Sequence, residues 1–237
     1  MIDKSKDNLK IQSNEMVKYN SLIINLKFRE LKELYLFDLL TKIIDSNVKI
    51  TNKSTILELG FNDGTRLKKI ASYYKDSKVI GIEVRKSCVD KLVNEGYDCR
   101  LVNEKIFEIN EKFDVIYGYL MLHHISIPYD YLKYLYSLLK PGGILMFPIE
   151  SYSTHIIGII LNTINGNWKY ETNMFKLSRR KLIKECSKIS NNFYIGYNGL
   201  LLLYGFPQLN KIYRTLNLHK LPFFNELSIF IKKDTNI

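Results

Sequence analysis

The sequence predicts an α/β fold: a doubly wound, seven-stranded, mostly parallel sheet with an amino-terminal helical cap. Three observations carry the prediction. Five short apolar runs, at residues 55–59, 78–83, 98–102, 113–117 and 143–148, recur along the middle of the chain. Stretches of helical character at 65–74, 85–95 and 129–139 fill the gaps, and strands alternating with helices argue for parallel pairing with helices on both faces. Two further strand-like runs, 193–197 and 227–231, bring the number to seven.

Taken in order, the first ten residues read as a frayed tail. Residues 15–44 lack Pro and Gly, and Leu31, Leu34, Tyr35, Leu39 and Ile43 recur at helical spacing, which predicts one or two helices over this stretch. The alternating core follows, and its right-handed crossovers direct ligands to the carboxyl ends of the strands. Regularity stops after Pro148. Residues 151–176 read as a loop or lid with some helix, Ser178 as the N-cap of a helix that turns Leu182, Ile183, Cys186 and Ile189 inward, and 209–216 as a further helix. The expected organisation is therefore a tail and cap over 1–50, a ligand-binding core over 51–150, and a carboxyl part of the same domain over 151–237 that supplies a second site.

Composition excludes several classes. The chain has 237 residues, 46% hydrophobic and 25% charged, ordinary values for a globular domain. Cys88, Cys99 and Cys186 are far apart, so neither a disulfide framework nor a cysteine-based zinc site is signalled. Met1 to Lys10 lacks the apolar centre of a signal peptide, and no apolar run approaches the ~18 residues that span a bilayer, so a cytoplasmic protein is expected. The net charge of +11 is uneven: residues 1–50 carry +2, 51–150 carry +1, and 151–237 carry +8. A local excess of that kind attracts phosphate, nucleic acid or acidic lipid, although a composition rich in Lys, Asn, Ile and Tyr produces it too.

The most informative stretch is Ile56-Leu57-Glu58-Leu59-Gly60-Phe61-Asn62-Asp63-Gly64-Thr65, where an apolar strand ends in a glycine-containing turn and a helix begins. Glycine admits a ligand close to the backbone, and a helix N-terminus presents unpaired N–H groups. A dinucleotide calls for G-x-G-x-x-G, but position 62 is Asn, position 65 is Thr, and Asp63 would set negative charge beside a pyrophosphate. A cationic ligand without phosphate suits Glu58 and Asp63 by charge.

At this point the sequence resembles the class I, Rossmann-like S-adenosylmethionine-dependent methyltransferases, whose first motif is matched by Glu58, Gly60 and Gly64. Asn62 stands for the middle glycine, and Asn adopts positive φ more readily than other non-glycine residues. The Gly-x-Asn-Asp-Gly-Thr form is similar to that of sugar C-methyltransferases, whose cysteine-rich zinc module has no counterpart here. Further matches follow in register over about residues 54–148. The resemblance implies that Glu83, ending Lys-Val-Ile-Gly-Ile-Glu, accepts the ribose hydroxyls, and that Asn103, or Glu104 beside it, meets the adenine amino group. Residues 113–117 with Leu122-His123-His124-Ile125 resemble the fourth-strand signature, and Leu139-Lys140-Pro141-Gly142-Gly143 resembles the turn before the fifth strand. The implied cofactor is S-adenosyl-L-methionine, held by Glu58, Gly60, Asn62, Asp63, Gly64, Glu83 and Asn103.

Each residue also has a plainer reading. Glu58 can anchor the following helix, Asp114 starts its strand at the edge away from the ligand, and Pro141 to Gly143 serve as turn chemistry. Methyl transfer is an in-line displacement that needs a base only for a hydroxyl or carbon acid, and imidazole suits that work. His124, ahead of His123, is the candidate base, with Tyr119 and His155 behind them. Gly118-Tyr119-Leu120-Met121 lacks the Pro-Pro-aromatic set that holds a flipped base, which disfavours base-amino methylation of nucleic acid. In the basic third, Arg180, Lys184 and Lys188 share a helix face with Arg179 and Lys181 beside them, among many aromatic residues. Such a mixture suits a small-molecule or glycan-like acceptor with an anionic or lipid-linked end, methylated on oxygen ahead of carbon or nitrogen. An RNA methyltransferase using the basic third, a membrane-surface enzyme, and a cofactor-binding module without activity are the rival readings; the oligomeric state stays open.

Overall fold

A computed structural model of the chain describes residues 26–102, 109–152, 159–160, 163, 175–199, 207–218, 221 and 226–235. Helix α1 (Leu26–Asn47) precedes strand β1 (Thr55–Leu59), α2 (Thr65–Tyr73), β2 (Lys78–Glu83), α3 (Lys86–Asn94) and β3 (Asp98–Leu101). Then come β4 (Phe113–Gly118), a 3-10 turn at Leu122–His124, α4 (Pro128–Ser137), β5 (Leu139–Glu150), α5 (Arg179–Cys186), β6 (Phe193–Gly199), α6 (Pro207–Thr215) and β7 (Glu226–Lys232). One seven-stranded sheet runs in the order β3-β2-β1-β4-β5-β7-β6. The first five strands are parallel, and β7 lies antiparallel between β5 and β6. Because β1 pairs with β2 on one side and β4 on the other, chain order reverses between β1 and β4, which opens a crevice at their carboxyl ends.

Strand alternation sorts the core onto two faces. Ile56, Val115, Tyr117, Ile144 and Met146 meet Leu36, Leu40 and Ile44 of α1 and Ile70 of α2. On the other face Leu57, Leu59, Ile116, Leu145 and Phe147 meet Leu132 and Leu135 of α4 and Leu182 and Cys186 of α5. Helix α1 is therefore part of the core, with Leu40 and Ile44 fully buried.

Residues 139–143 differ from the expected turn. They already belong to β5, whose pairing with β4 jumps from Phe113↔Leu139 to Val115↔Ile144. The extra residues are accommodated because Gly142 takes φ +76°, and the Cβ of any other residue at 143 would lie 3.0 Å from three carbonyl oxygens. Two hydrogen bonds to β7's end, Gly142 N–H to Lys233 O (3.1 Å) and Lys233 N–H to Gly143 O (2.9 Å), stitch this bulge into the sheet. The helix expected to reach 139 stops at Ser137 accordingly.

A second bulge matters for the site. Between β5 and β7 the register passes from Phe147↔Ile229 to Glu150↔Leu227, one residue longer on β5. Pro148, which has no N–H to give, sits in this bulge and accepts a hydrogen bond from Ser228. The phase of the strand flips: Ile144, Met146 and then Ile149 share the α1 face, so Glu150 falls on the face that carries Leu122.

Candidate active site

The glycine loop follows β1 directly. Gly60 (φ +66°), Asn62 (φ +57°) and Gly64 (φ +80°) all occupy the left-handed region, so Asn62 takes the conformation expected of it. A Cβ on Gly64 would collide with Leu92, and one on Gly60 would lie 3.6 Å from Met121 Cβ. Asp63 is exposed, and its carboxylate accepts the Thr65 N–H at 3.0 Å, which secures the entry to α2.

Glu83, buried at the end of β2, is fixed from several sides. It accepts the Asn62 N–H at 2.8 Å and the Val84 N–H at 2.9 Å. The Arg85 guanidinium lies alongside, at 3.4 Å from Glu83 and bonded to Asn62 Oδ1. Arg85 is itself buried, so the loop, the carboxylate and the cation form one rigid corner. This corner fits the nucleoside part of the implied cofactor by its chemistry: a carboxylate at the carboxyl end of β2 beside a glycine-containing loop. Asn103, Glu104 and His155 lie outside the described residues.

Glu58 faces the other way. Fully buried, it pairs across the sheet with Tyr117, whose hydroxyl donates to it at 2.8 Å. Arg66, on the first turn of α2, reaches Glu58 at 3.5 Å and Glu33 of α1 at 3.1 Å. The guanidinium also stacks on the Tyr119 ring at 3.9 Å, and the Tyr119 hydroxyl donates to Leu36 O at 2.9 Å. Burial pushes the Glu58 carboxyl up to about 7, against the pull of Arg66 and the Tyr117 hydroxyl. The anchoring reading of Glu58 thus has the geometric support, and Tyr119 is spent on tying α1 to the sheet.

Across the crevice, β4 ends at Gly118 and the chain turns sharply, with Leu120 at φ +47°. Glu150 receives this turn: it accepts the N–H groups of Met121 (3.1 Å), Leu122 (2.8 Å) and Ser151 (3.0 Å) and hydrogen-bonds His123 Nδ1. Both side chains are buried, Glu150 completely. A carboxyl group held by three backbone donors suits the tautomer in which Nδ1 of His123 carries the hydrogen, which leaves Nε2 as the ring's acceptor nitrogen. His124 lies beside it, half-buried, with ring centroids 4.0 Å apart. Sequence reasoning missed Glu150; its signal is an acid closing an otherwise apolar strand. Arg66 and Arg85 were missed as well: the Glu33 partner of Arg66 and the Asn62 partner of Arg85 lie 33 and 23 residues away in the chain.

A groove of about 480 Å³ opens next to the 3-10 turn, between Ser126–Asp130 and the segment from Phe175 to Lys181. Ile127 and Phe175 are exposed in it. Lys176 Nζ donates to Ser126 O at 3.2 Å and Lys181 stands 4.4 Å over the Tyr129 ring. The basic stripe is divided: Arg179 turns inward to Ile195 O at 3.2 Å and Lys188 pairs with Glu185 at 2.7 Å, while Arg180 and Lys184 point to solvent. Asp114 holds the opposite end of the sheet, accepting the Thr55 N–H and the Lys140 ammonium, both at 2.7 Å. Among the described residues no cluster of three His, Cys, Asp or Glu is arranged to bind a metal.

Comparison with known proteins agrees with this fold. A family model described as a methyltransferase domain matches residues 57–145. A putative methyltransferase, 235L, of Invertebrate iridescent virus 6 is 24% identical over 193 residues, 77% of this chain and 71% of the viral one. The plantazolicin methyltransferase BamL, solved with a triazolic desmethylPZN analog and SAH, superposes with a TM-score of 0.63 at 13% identity, over 97% of this chain and 95% of its own. Magnesium protoporphyrin IX methyltransferase from Synechocystis PCC 6803, solved with SAH, gives 0.59 at 12% identity over 95% and 97%. At these identities the structural likeness is one of fold.

Proposed function

We propose that the chain is a class I S-adenosylmethionine-dependent methyltransferase, as its methyltransferase-domain match and fold support, and that it methylates a hydroxyl oxygen of a small, anionic acceptor, with His123 as the base. When bound, S-adenosylmethionine supplies an electrophilic methyl group. The left-handed turns at Gly60, Asn62 and Gly64 shape the loop beside it, and Glu83, held by Asn62 and Arg85, would accept its ribose hydroxyls.

The observation that carries the reading is the buried His123–Glu150 pair. An amine needs no base to attack a methyl group, whereas a hydroxyl must release its proton as its oxygen becomes the ether. His123 Nε2 takes that proton, and Glu150 stabilises the resulting imidazolium as the carboxylate of a hydrolase triad does. The groove beside the turn, with Phe175 and Ile127 for a ring and Lys176 and Lys181 for an anion, supports a compact acceptor carrying a carboxylate or phosphate.

The test is methyl transfer from labelled cofactor to a panel of hydroxylated carboxylates and phosphates. His123→Ala is expected to lower kcat about 100-fold or more while calorimetric affinity for S-adenosylhomocysteine stays within about twofold. Undiminished turnover in His123→Ala, or acceptors confined to amines, would overturn the base assignment.

A further inference from the structure

Helix α6 leaves a row of aliphatic side chains outside the core. Leu209 is 52% exposed, Ile212 55%, and Leu216, just past the helix, 62%. Steps of three and four place them on one face. A single exposed leucine is ordinary in any protein, but a contiguous apolar row marks a contact surface. Lys211 and Arg214 flank the row, and Arg214 Nη2 donates to Tyr35 Oη of α1 at 3.2 Å, which ties the helix beside the cap.

The surrounding sequence has a matching bias. Between Glu185 and Glu226 there are 40 residues without one Asp or Glu, while Lys188, Lys211, Arg214 and Lys220 carry positive charge. The runs Leu200-Leu201-Leu202-Leu203-Tyr204 and Leu221-Pro222-Phe223-Phe224 flank the helix on either side. Among the described residues no helix is long and apolar enough to cross a membrane.

We propose that α6 is an interfacial anchor that seats the protein on an anionic lipid surface. The apolar row enters the acyl boundary while Lys211 and Arg214 stay among the headgroup phosphates. Charge decides among occupants. A second copy meeting this face would bring two surfaces of like charge together. Single-stranded nucleic acid would use the cations, but Leu209, Ile212 and Leu216 provide no aromatic platform for its bases. This inference is independent of the acceptor chemistry, because it rests on Leu209, Ile212 and Leu216, to which the proposed reaction gives no role.

The experiment is flotation of the full chain with vesicles of phosphatidylcholine alone and of equal parts phosphatidylcholine and phosphatidylglycerol. Flotation with the anionic vesicles only, weakening as salt rises, is expected. The Leu209→Ser/Ile212→Ser/Leu216→Ser variant should lose about tenfold or more in partitioning, and Lys211→Glu about fivefold. Both should keep parental affinity for S-adenosylhomocysteine and parental melting, which shows that the fold is intact. Absence of flotation with anionic vesicles, or flotation unchanged in the triple variant, overturns the proposal. So does a dimer of the parent chain that the triple variant turns into monomer, which assigns the row to a second copy.

Discussion

The two halves of the sheet use charge in opposite ways. From β1 to β5 the net charge is almost nil, yet Glu58, Glu83, Arg85, His123 and Glu150 are buried there, each with named partners across the crevice or beneath it. From α5 onward the excess is large, but Arg180, Lys184, Lys211 and Arg214 are exposed. Net charge is therefore a poor guide to where ionic groups organise this molecule. The nearly neutral half is the one whose architecture depends on them, because a buried group without its partner costs several times what an exposed pair contributes.

The sharpest way to break this contrast is at the corner we propose for the nucleoside. Glu83→Ala removes the acceptor of the Asn62 N–H and strands Arg85; affinity for S-adenosylhomocysteine, read by calorimetry, should fall about 100-fold or more. Undiminished binding would remove Glu83 from the site. Next comes Glu150→Gln, which keeps the shape but no longer stabilises an imidazolium. Turnover should fall about tenfold or more, and the rising limb of the pH–rate profile should move to lower pH as His123 loses its carboxylate. A purely structural role would leave that limb in place.

Glu58 supplies a test by stability. Folding raises its carboxyl from 4.5 to about 7 by burial, so the folded protein prefers the protonated form. Its contribution is full below about pH 4.5 and is lost as pH rises through 7, a difference of ~3 kcal/mol. Glu58→Gln mimics the protonated state, so its unfolding free energy should stay level where that of the parent declines, measured by urea titration between these limits. A parallel decline in both proteins would show that Glu58 is ionised throughout. At the small end, Arg180→Ala with Lys184→Ala in the exposed stripe should change stability by no more than about 0.5 kcal/mol; a larger loss would mean that the carboxyl third, too, relies on ionic architecture.

The limits of β1 and β2 were legible because apolar runs end there at an abrupt change to turn residues, and the positive φ of Asn62 follows from its place between two glycines. What stayed hidden depends on contacts between distant segments. Pro141 to Gly143 look like a turn, and only the pairing of β5 with both β4 and β7 makes them a bulge within a strand. The Glu58 side chain was placed toward the ligand because its motif position was readable and its face was not: strand alternation assigns it to the α1 side, where Arg66 and Tyr117 wait. Of the two histidines, His124 was preferred, but nothing local tells which ring meets Glu150, 27 residues beyond His123.

The bulge at Pro148 makes the end of β5 tolerant of length. The one extra residue is absorbed between Phe147 and Glu150, so deleting a single codon there would restore plain alternation through Ile149 and leave Glu150 opposite Leu227, on the face of Leu122. The acceptor of the N–H groups after β4, and with it the partner of His123, keeps its place with or without the bulge. A change of one residue at this point is therefore silent for the buried pair.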